Sequence, residues 1–424
     1  MIASVAPILI AIGAFFLRLI NLGNPKGFVF DEVYYVDGAR DLLKYGVEVD
    51  GLKPEFVVHP PVGKWLIGLG IKLFGDNEFG WRFASAVAGT LIILIAARLA
   101  HELFYSPFLT AITAALMACD GLLLVHSRTA LLDLFLTLFV LTAAYFWFRQ
   151  QFWYASIFFG IALATKWSAL YFIALFGFVT LIRLLRENPV KESIRTIGIR
   201  VLQFGVLPLA IYITSWAGWF VSARGWDRTY SSNSLSSLLY YHKQMLDFHT
   251  SLIEKHSYQA NPWSWLIMGR PTSFFYESPQ GCGSKSCSQE VLALGTPILW
   301  WSATIAIAVL IGFWIWQSYH RQVDTKLTFI LLGIIAGYLP WFFFQKRTVF
   351  SFYAIVFEPF LVLAIVYCAK LFIDRSRNPA DAQVIILGFL AVVFLNFVFF
   401  LPLYLGEVIT YAQWHARMWF PSWI

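Results

Sequence analysis

The stretch FWYASIFFGIALATKWSALYFIALFGFVTLIRLLR fills residues 152–186 and is apolar almost throughout, broken only by TKWS at 165–168. At about 1.5 Å per residue, one helix of this length would overshoot a hydrocarbon core of roughly 30 Å. Two crossings fit it, with the polar break between them. Working outward in both directions, the same reading finds eleven spans, at 3–22, 83–101, 108–125, 131–149, 152–166, 168–186, 199–221, 296–317, 327–345, 350–372 and 384–405. The composition agrees: 59% of the 424 residues are hydrophobic and only 13% charged, where an ordinary soluble domain has about 25% charged residues. The fold class expected is therefore all-α and polytopic in the membrane. The run from Ile2 to Ile20 has no basic segment before it and no small-residue cleavage site after it, so it reads as the first span rather than a removed signal.

A net charge of +7 could suggest nucleic acid, but the basic residues stand at the ends of apolar segments and not on one soluble face. They report topology instead. Arg183, Arg186, Lys191, Arg195 and Arg200 share one side with Arg321, Lys326, Lys370, Arg375 and Arg377. Positive charge marks that side as cytoplasmic. The N-terminus is then cytoplasmic and the C-terminus outside, in a multi-pass protein of the plasma membrane. Two long loops, 23–82 and 222–295, face outward. With no internal repeat, low-complexity run or separate soluble segment, the chain reads as a single integral membrane domain over 1–424.

The outer loop 222–295 carries Cys282 and Cys287, five residues apart in GCGSKSCSQE, while Cys119 and Cys368 lie in or beside apolar segments. On an oxidising side the spacing suits a small disulfide loop. A metal pair is less well supported, because no His or further Cys stands nearby. Trp263 with Trp265, Trp300 with Trp301 and Trp314 with Trp316 fall near segment ends and fit interfacial belts better than carbohydrate stacking.

Ionisable groups at a membrane are costly and ask for a partner or a task. On the expected outer face stand Asp31 and Glu32 in FDEVYY, Arg82, Arg128 and Asp133 in HSRTALLDLF, Lys166, and Arg347 in FFFQKRTVFSFY. The plain reading is that they pair for helix packing, Arg128 with Asp133 for example. As a set, acids from one loop and fixed cations from several spans would suit an anionic phosphate with a proton acceptor beside it. VHPPVGKWL at 58–66 adds His59 and Lys64 on either side of two prolines that fix an extended turn, followed by a segment able to lie as an interfacial helix.

These motifs resemble, in order and rough spacing, the protein O-mannosyltransferases. The resemblance rests on DEVYY at 31–35, VHPPVGKW at 58–65, GWRFASAVAG at 80–89, SRTALLDLF at 127–135 and ALATKWSAL at 162–170. NPWSWLIMGRPTSFFYE at 261–277 and LGTPILWW at 294–301 look like bacterial, particularly actinobacterial, members. The resemblance implies a GT-C glycosyltransferase that moves mannose from a polyprenyl phosphate to Ser or Thr of exported proteins, with the Sec translocon as a candidate partner. It implies Asp31 as catalytic base, Glu32 as its essential neighbour and Arg82 as the arginine needed for activity. Loop 222–295 is too short for the MIR domain of eukaryotic members. His59, Lys64, Arg128, Lys166 and Arg347 are the further candidates for holding donor phosphate or substrate. No His and carboxylate spacing is diagnostic of a metal, so none is assigned, and a divalent ion at Asp31 or Glu32 stays open. Two other readings remain: a related lipid-donor transferase acting on a glycolipid, of arabinosyl or aminoarabinosyl type, and a transporter. Charges gathered at one face, without related halves, speak against the transporter.

Overall fold

The computed structural model describes residues 2–187 and 190–424. Of the basic residues that set the expected topology, Lys191 and Arg195 have side chains outside the described ones. Packing divides the chain into two compact units. One comprises Met1–Phe30, Ser85–Thr129 and Lys255–Ile424, the other Asp31–Ala84 and Ala130–Glu254.

The second unit holds the opening stretch. Its two halves form helices Phe152–Leu163 and Ala169–Glu187, and the TKWS break is the turn between them. Phe152–Leu163 packs on Leu132–Phe148 and on Leu207–Ser215. Gly160 permits the second approach, because a Cβ there would lie 2.9 Å from Cβ of Ile211. The loop residues form helix Glu32–Tyr45, a short hairpin Val49–Asp50 with Lys53–Pro54, and helix Val62–Phe74, which packs on Glu32–Tyr45. Helix Glu78–Phe104 then begins. Its close approach to Val62–Phe74 demands glycine, since a Cβ on Gly70 would come within 2.3 Å of the Gly80 carbonyl oxygen. Helix Ser234–Ser251, from the second long loop, completes the unit.

The first unit contains helices Ile2–Leu19, Pro107–Ala118, Pro297–Tyr319, Thr325–Tyr338, Glu358–Arg375 and Pro379–Leu405. It also contains a three-stranded antiparallel sheet of Thr272–Glu277, Cys287–Ala293 and Val408–Thr410, with Cys287–Ala293 in the middle. Cys282 and Cys287 are disulfide-bonded at the loop end of the hairpin, with Cα atoms 5.8 Å apart.

Among the described residues six helices are long and apolar enough to cross a membrane, Glu78–Phe104, Ala169–Arg186, Thr196–Ser215, Pro297–Tyr319, Thr325–Phe344 and Pro379–Leu405, and each falls on one of the eleven expected spans. Four more spans correspond to shorter apolar helices: Val5–Leu19, Pro107–Ala118, Leu132–Phe148 and Phe152–Leu163. The span expected at 350–372 is a 3-10 turn, Ser351–Val356, followed by Glu358–Arg375. That expected at 108–125 is broken: Pro107–Ala118 ends, and Asp120 caps a separate helix Gly121–His126 by accepting from Leu123 N–H at 3.0 Å. Along Pro379–Leu405 apolar side chains such as Val384, Ile385, Phe394 and Leu395 point outward, a surface that lipid tolerates and water would not.

Candidate active site

Asp31 stands immediately before helix Glu32–Tyr45, and the residue before it holds an uncommon conformation. Phe30 has a φ of 52°, in the left-handed region that costs a bulky residue energy. Its ring compensates, stacking on Phe274 at 4.8 Å and meeting Phe352 and Phe350 edge-on. Asp31 is half-buried, makes no side-chain cap bond, and accepts a long contact of 3.5 Å from the Tyr35 hydroxyl one turn on. Burial pushes its carboxyl up to about 6, against the pull of Lys166; Asp133 adds to the rise and the Tyr35 contact opposes it.

Glu32, its neighbour in sequence, points elsewhere and is fully occupied. Arg82 donates to it through Nε and Nη2, both at 2.8 Å, as a two-pronged ion pair with neither side chain exposed. The backbone N–H of Ala130 donates to the same carboxylate at 2.9 Å. Arg82 reaches this place because the Gly70 and Gly80 approach sets the start of its helix beside Val62–Phe74, which in turn packs on Glu32–Tyr45. A second buried pair lies in the same unit. Lys166, in the TKWS turn, donates to both oxygens of Asp133 at 2.8 Å. The turn is tied to the proline loop by Val62 N–H donating to Ala164 carbonyl at 3.1 Å.

Lys64 forms a buried ion pair with Glu48 and also donates to the His59 carbonyl at 3.1 Å. The His59 ring lies 5.9 Å from Tyr35 and 5.4 Å from His249 of the second long loop, whose Nε2 is 2.9 Å from the Val58 carbonyl oxygen. The two long loops thus meet at this motif. The structure gathers Asp31, Glu32, His59, Lys64, Arg82 and Lys166 in one unit, together with Asp133. Arg128 and Arg347 belong to the other. There Arg128 donates to the carbonyls of Arg18, Ile20 and Asn21 at 2.7–3.1 Å, closing the C-terminal end of helix Ile2–Leu19 where cations are favoured. Arg347 follows the 3-10 turn Leu339–Phe344. Sequence reasoning missed Tyr35, Glu48 and His249. Tyr35 could have been found, since it stands four residues after Asp31 on a helix. Among the described residues no group of three His, Cys, Asp or Glu side chains is arranged to hold a metal ion.

The family model described as dolichyl-phosphate-mannose-protein mannosyltransferase matches residues 8–217, and that of the C-terminal four-transmembrane region of protein O-mannosyltransferase matches residues 234–423. A polyprenol-phosphate-mannose–protein mannosyltransferase of Mycolicibacterium smegmatis is 33% identical over 96% of this chain and 90% of its own length. The chain belongs to the protein O-mannosyltransferase family. The protein of the same description from Mycobacterium tuberculosis is 31% identical over 98% of this chain and 91% of its own. In fold the chain is similar to the Saccharomyces cerevisiae protein O-mannosyltransferase Pmt1-Pmt2 complex bound to the sugar donor. The TM-score is 0.85 at 15% identity, covering 100% of this chain and 93% of that one. This mannosyltransferase is therefore a multi-pass helical membrane enzyme of the GT-C fold.

Proposed function

We propose that this protein O-mannosyltransferase takes mannose from a polyprenyl-phosphate-mannose lipid and transfers it to Ser or Thr hydroxyls of exported proteins, outside the plasma membrane, with Asp31 as general base. The observation that carries the assignment is the division of labour among the acids: Glu32 and Asp133 are each locked to a buried cation, whereas among the described residues the Asp31 side chain accepts only the long Tyr35 contact, and its carboxyl is raised to about 6. A Ser or Thr hydroxyl is a poor nucleophile. As its oxygen attacks the sugar C1, its proton passes to Asp31, the bond from C1 to the phosphate oxygen breaks, and polyprenyl phosphate leaves as an anion. A base raised toward neutrality suits that transfer better than an ordinary aspartate.

One base with no nucleophilic carboxylate supports a single inverting displacement, giving an α-mannoside from a β-linked donor. The leaving phosphate calls for fixed cations. Arg82 and Lys166 are the cations of this unit closest to that task, each oriented in advance by its carboxylate partner. Acceptors would be unfolded segments emerging from the Sec translocon, where loops 23–82 and 222–295 meet them. The test is transfer of labelled mannose from polyprenyl-phosphate mannose to a Ser/Thr peptide by purified protein in lipid nanodiscs, with the product released by α-mannosidase. Transfer to a glycolipid acceptor but not to peptide would favour the glycolipid transferase instead.

A further inference from the structure

Lys166 stands in the short TKWS turn, and its pair with Asp133 fixes only the far end of a long side chain. The backbone beneath it needs restraints of its own. On one side the turn is held by the Val62 N–H on the Ala164 carbonyl. On the other side the next residue, half-buried Trp167, donates its indole N–H to the Tyr212 hydroxyl oxygen at 2.8 Å. Tyr212 is buried in helix Leu207–Ser215, and its hydroxyl lies 2.6 Å from Nε2 of His242 in helix Ser234–Ser251. Nδ1 of the same ring lies 2.7 Å from the Leu238 carbonyl oxygen.

The direction of this chain follows from its members. A carbonyl oxygen only accepts, so Nδ1 of His242 carries a proton. Burial lowers the pKa of the ring and keeps it neutral, against the pull of the Leu238 carbonyl. Nε2 is then an acceptor, and the Tyr212 hydroxyl donates to it. The hydrogens run from Trp167 to Tyr212 to His242 to Leu238. Such a chain brings no proton to a substrate, because an indole N–H donates and does not accept. Both nitrogens of His242 are engaged, so the ring is no second base either. Its effect is mechanical. His242 and His249 stand seven residues apart on one face of their helix, and their rings lie 5.8 and 5.7 Å from that of Trp167. Trp216 backs the His242 ring at 5.1 Å. One indole therefore joins the turn that carries Lys166 to helix Leu207–Ser215 and to the helix of the second long loop.

We propose that Trp167, Tyr212 and His242 are positioning residues for donor binding: they hold the TKWS turn so that Lys166 meets the donor phosphate, and they make helix Ser234–Ser251 a support of the donor site. The proposal rests on Lys166 being a cation for that phosphate.

The test measures KM separately for polyprenyl-phosphate mannose and for a Ser/Thr peptide in nanodiscs. Tyr212→Phe removes only the hydroxyl and Trp167→Phe the indole N–H. Each should raise donor KM about three- to tenfold, the range for one lost neutral hydrogen bond, with kcat and peptide KM within about twofold of wild type. Because both break one chain, the double variant should be no worse than the poorer single one. His242→Gln offers a side-chain carbonyl in place of Nε2 and should keep donor KM near wild type, whereas His242→Phe, with no acceptor, should match Tyr212→Phe. Effects that multiply in the double variant, equal rises in donor and peptide KM, or the same loss in His242→Gln as in His242→Phe would each overturn the proposal. Lys166→Met combined with Asp133→Asn, which leaves no buried charge unpaired, is the reference. There donor KM should rise at least about tenfold, as for a lost charge-assisted contact, and adding Tyr212→Phe should change nothing further. Unchanged donor KM in the reference would remove Lys166 from the phosphate and the proposal with it. A raised value there, with Tyr212→Phe at wild-type values, would overturn the proposal alone. Retention of polyprenyl phosphate in native mass spectra, which needs no turnover, should rank the variants in the same order. Equal retention in wild type and Tyr212→Phe would overturn the tether whatever the acceptor proves to be.

Discussion

Replacing Asp31 by Asn should move activity and stability in opposite directions. The carboxyl is raised from 3.8 to about 6 in the folded protein, chiefly by burial. A folded pKa above the unfolded one means that the fold prefers the protonated acid. Between pH of about 4 and 6 the unfolded chain ionises while the folded one resists, and above about 6 the folded protein holds a carboxylate that water would solvate better. At about 1.4 kcal/mol per unit, that penalty is roughly 3 kcal/mol at pH 8, and it vanishes below pH 4. Asn is nearly isosteric and carries no such penalty. Asp31→Asn should therefore unfold a few degrees higher than wild type at pH 8 and at the same temperature near pH 4, measured by thermal scanning in nanodiscs. Transfer to peptide should fall about 10²–10⁴-fold, the usual cost of losing a general base, with donor binding retained. Near-normal turnover in Asp31→Asn would refute its role as base. Lower stability at pH 8 would refute the account of why its carboxyl is raised.

The remaining expectations concern the rest of the site and its orientation. The wild-type kcat/KM should climb with pH through an apparent value near 6 and then level, as Asp31 loses its proton; a flat profile between pH 5 and 7.5 would count against it. Glu32→Gln or Arg82→Met alone leaves a buried charge without its partner and should cost about 3–5 kcal/mol, seen as lost folded yield. The double variant should regain most of that yield without regaining activity, and full activity in the double variant would show the pair to be packing only. Cysteines placed at exposed Lys53 and Arg321 should differ in intact cells, with only the former labelled by an impermeant maleimide, and the reverse would invert the topology.

Much of the architecture was readable because a membrane helix needs only length and apolarity, and both are local. The failures were of two kinds. A hydropathy window averages over a single acid, so Asp120 disappeared inside an expected span at 108–125. In the structure Asp120 ends that helix and is tolerated in the interior because it accepts from the N–H groups of Leu123, Thr296 and Trp300 at 2.7–3.1 Å. Two of those partners lie more than 170 residues away in sequence, where no local pattern points. The sheet was missed for the same reason. Thr272–Glu277 and Cys287–Ala293 form a hairpin that local sequence could have suggested, but its third strand comes from Val408–Thr410, beyond four intervening helices.

For the site, the sequence offered candidate residues more readily than what they touch. The one explicit pairing it suggested, Arg128 with Asp133, is close in sequence, yet Asp133 gives both oxygens to Lys166 and Arg128 is taken up by three helix-end carbonyls. The pairs that formed join residues 16, 33 and 50 positions apart. Those pairings separate the roles of two adjacent acids that composition alone leaves equivalent. Neighbours on a helix diverge by about 100°, so Asp31 and Glu32 cannot both face one substrate proton. Glu32 accepts two bonds from Arg82 and one from Ala130, and taking a proton would cancel the charge that answers the buried Arg82. The Asp31 carboxylate, among the described residues, accepts only from the distant Tyr35 hydroxyl. The acid proposed to receive the proton is thus the one with the fewest side-chain contacts among the described residues.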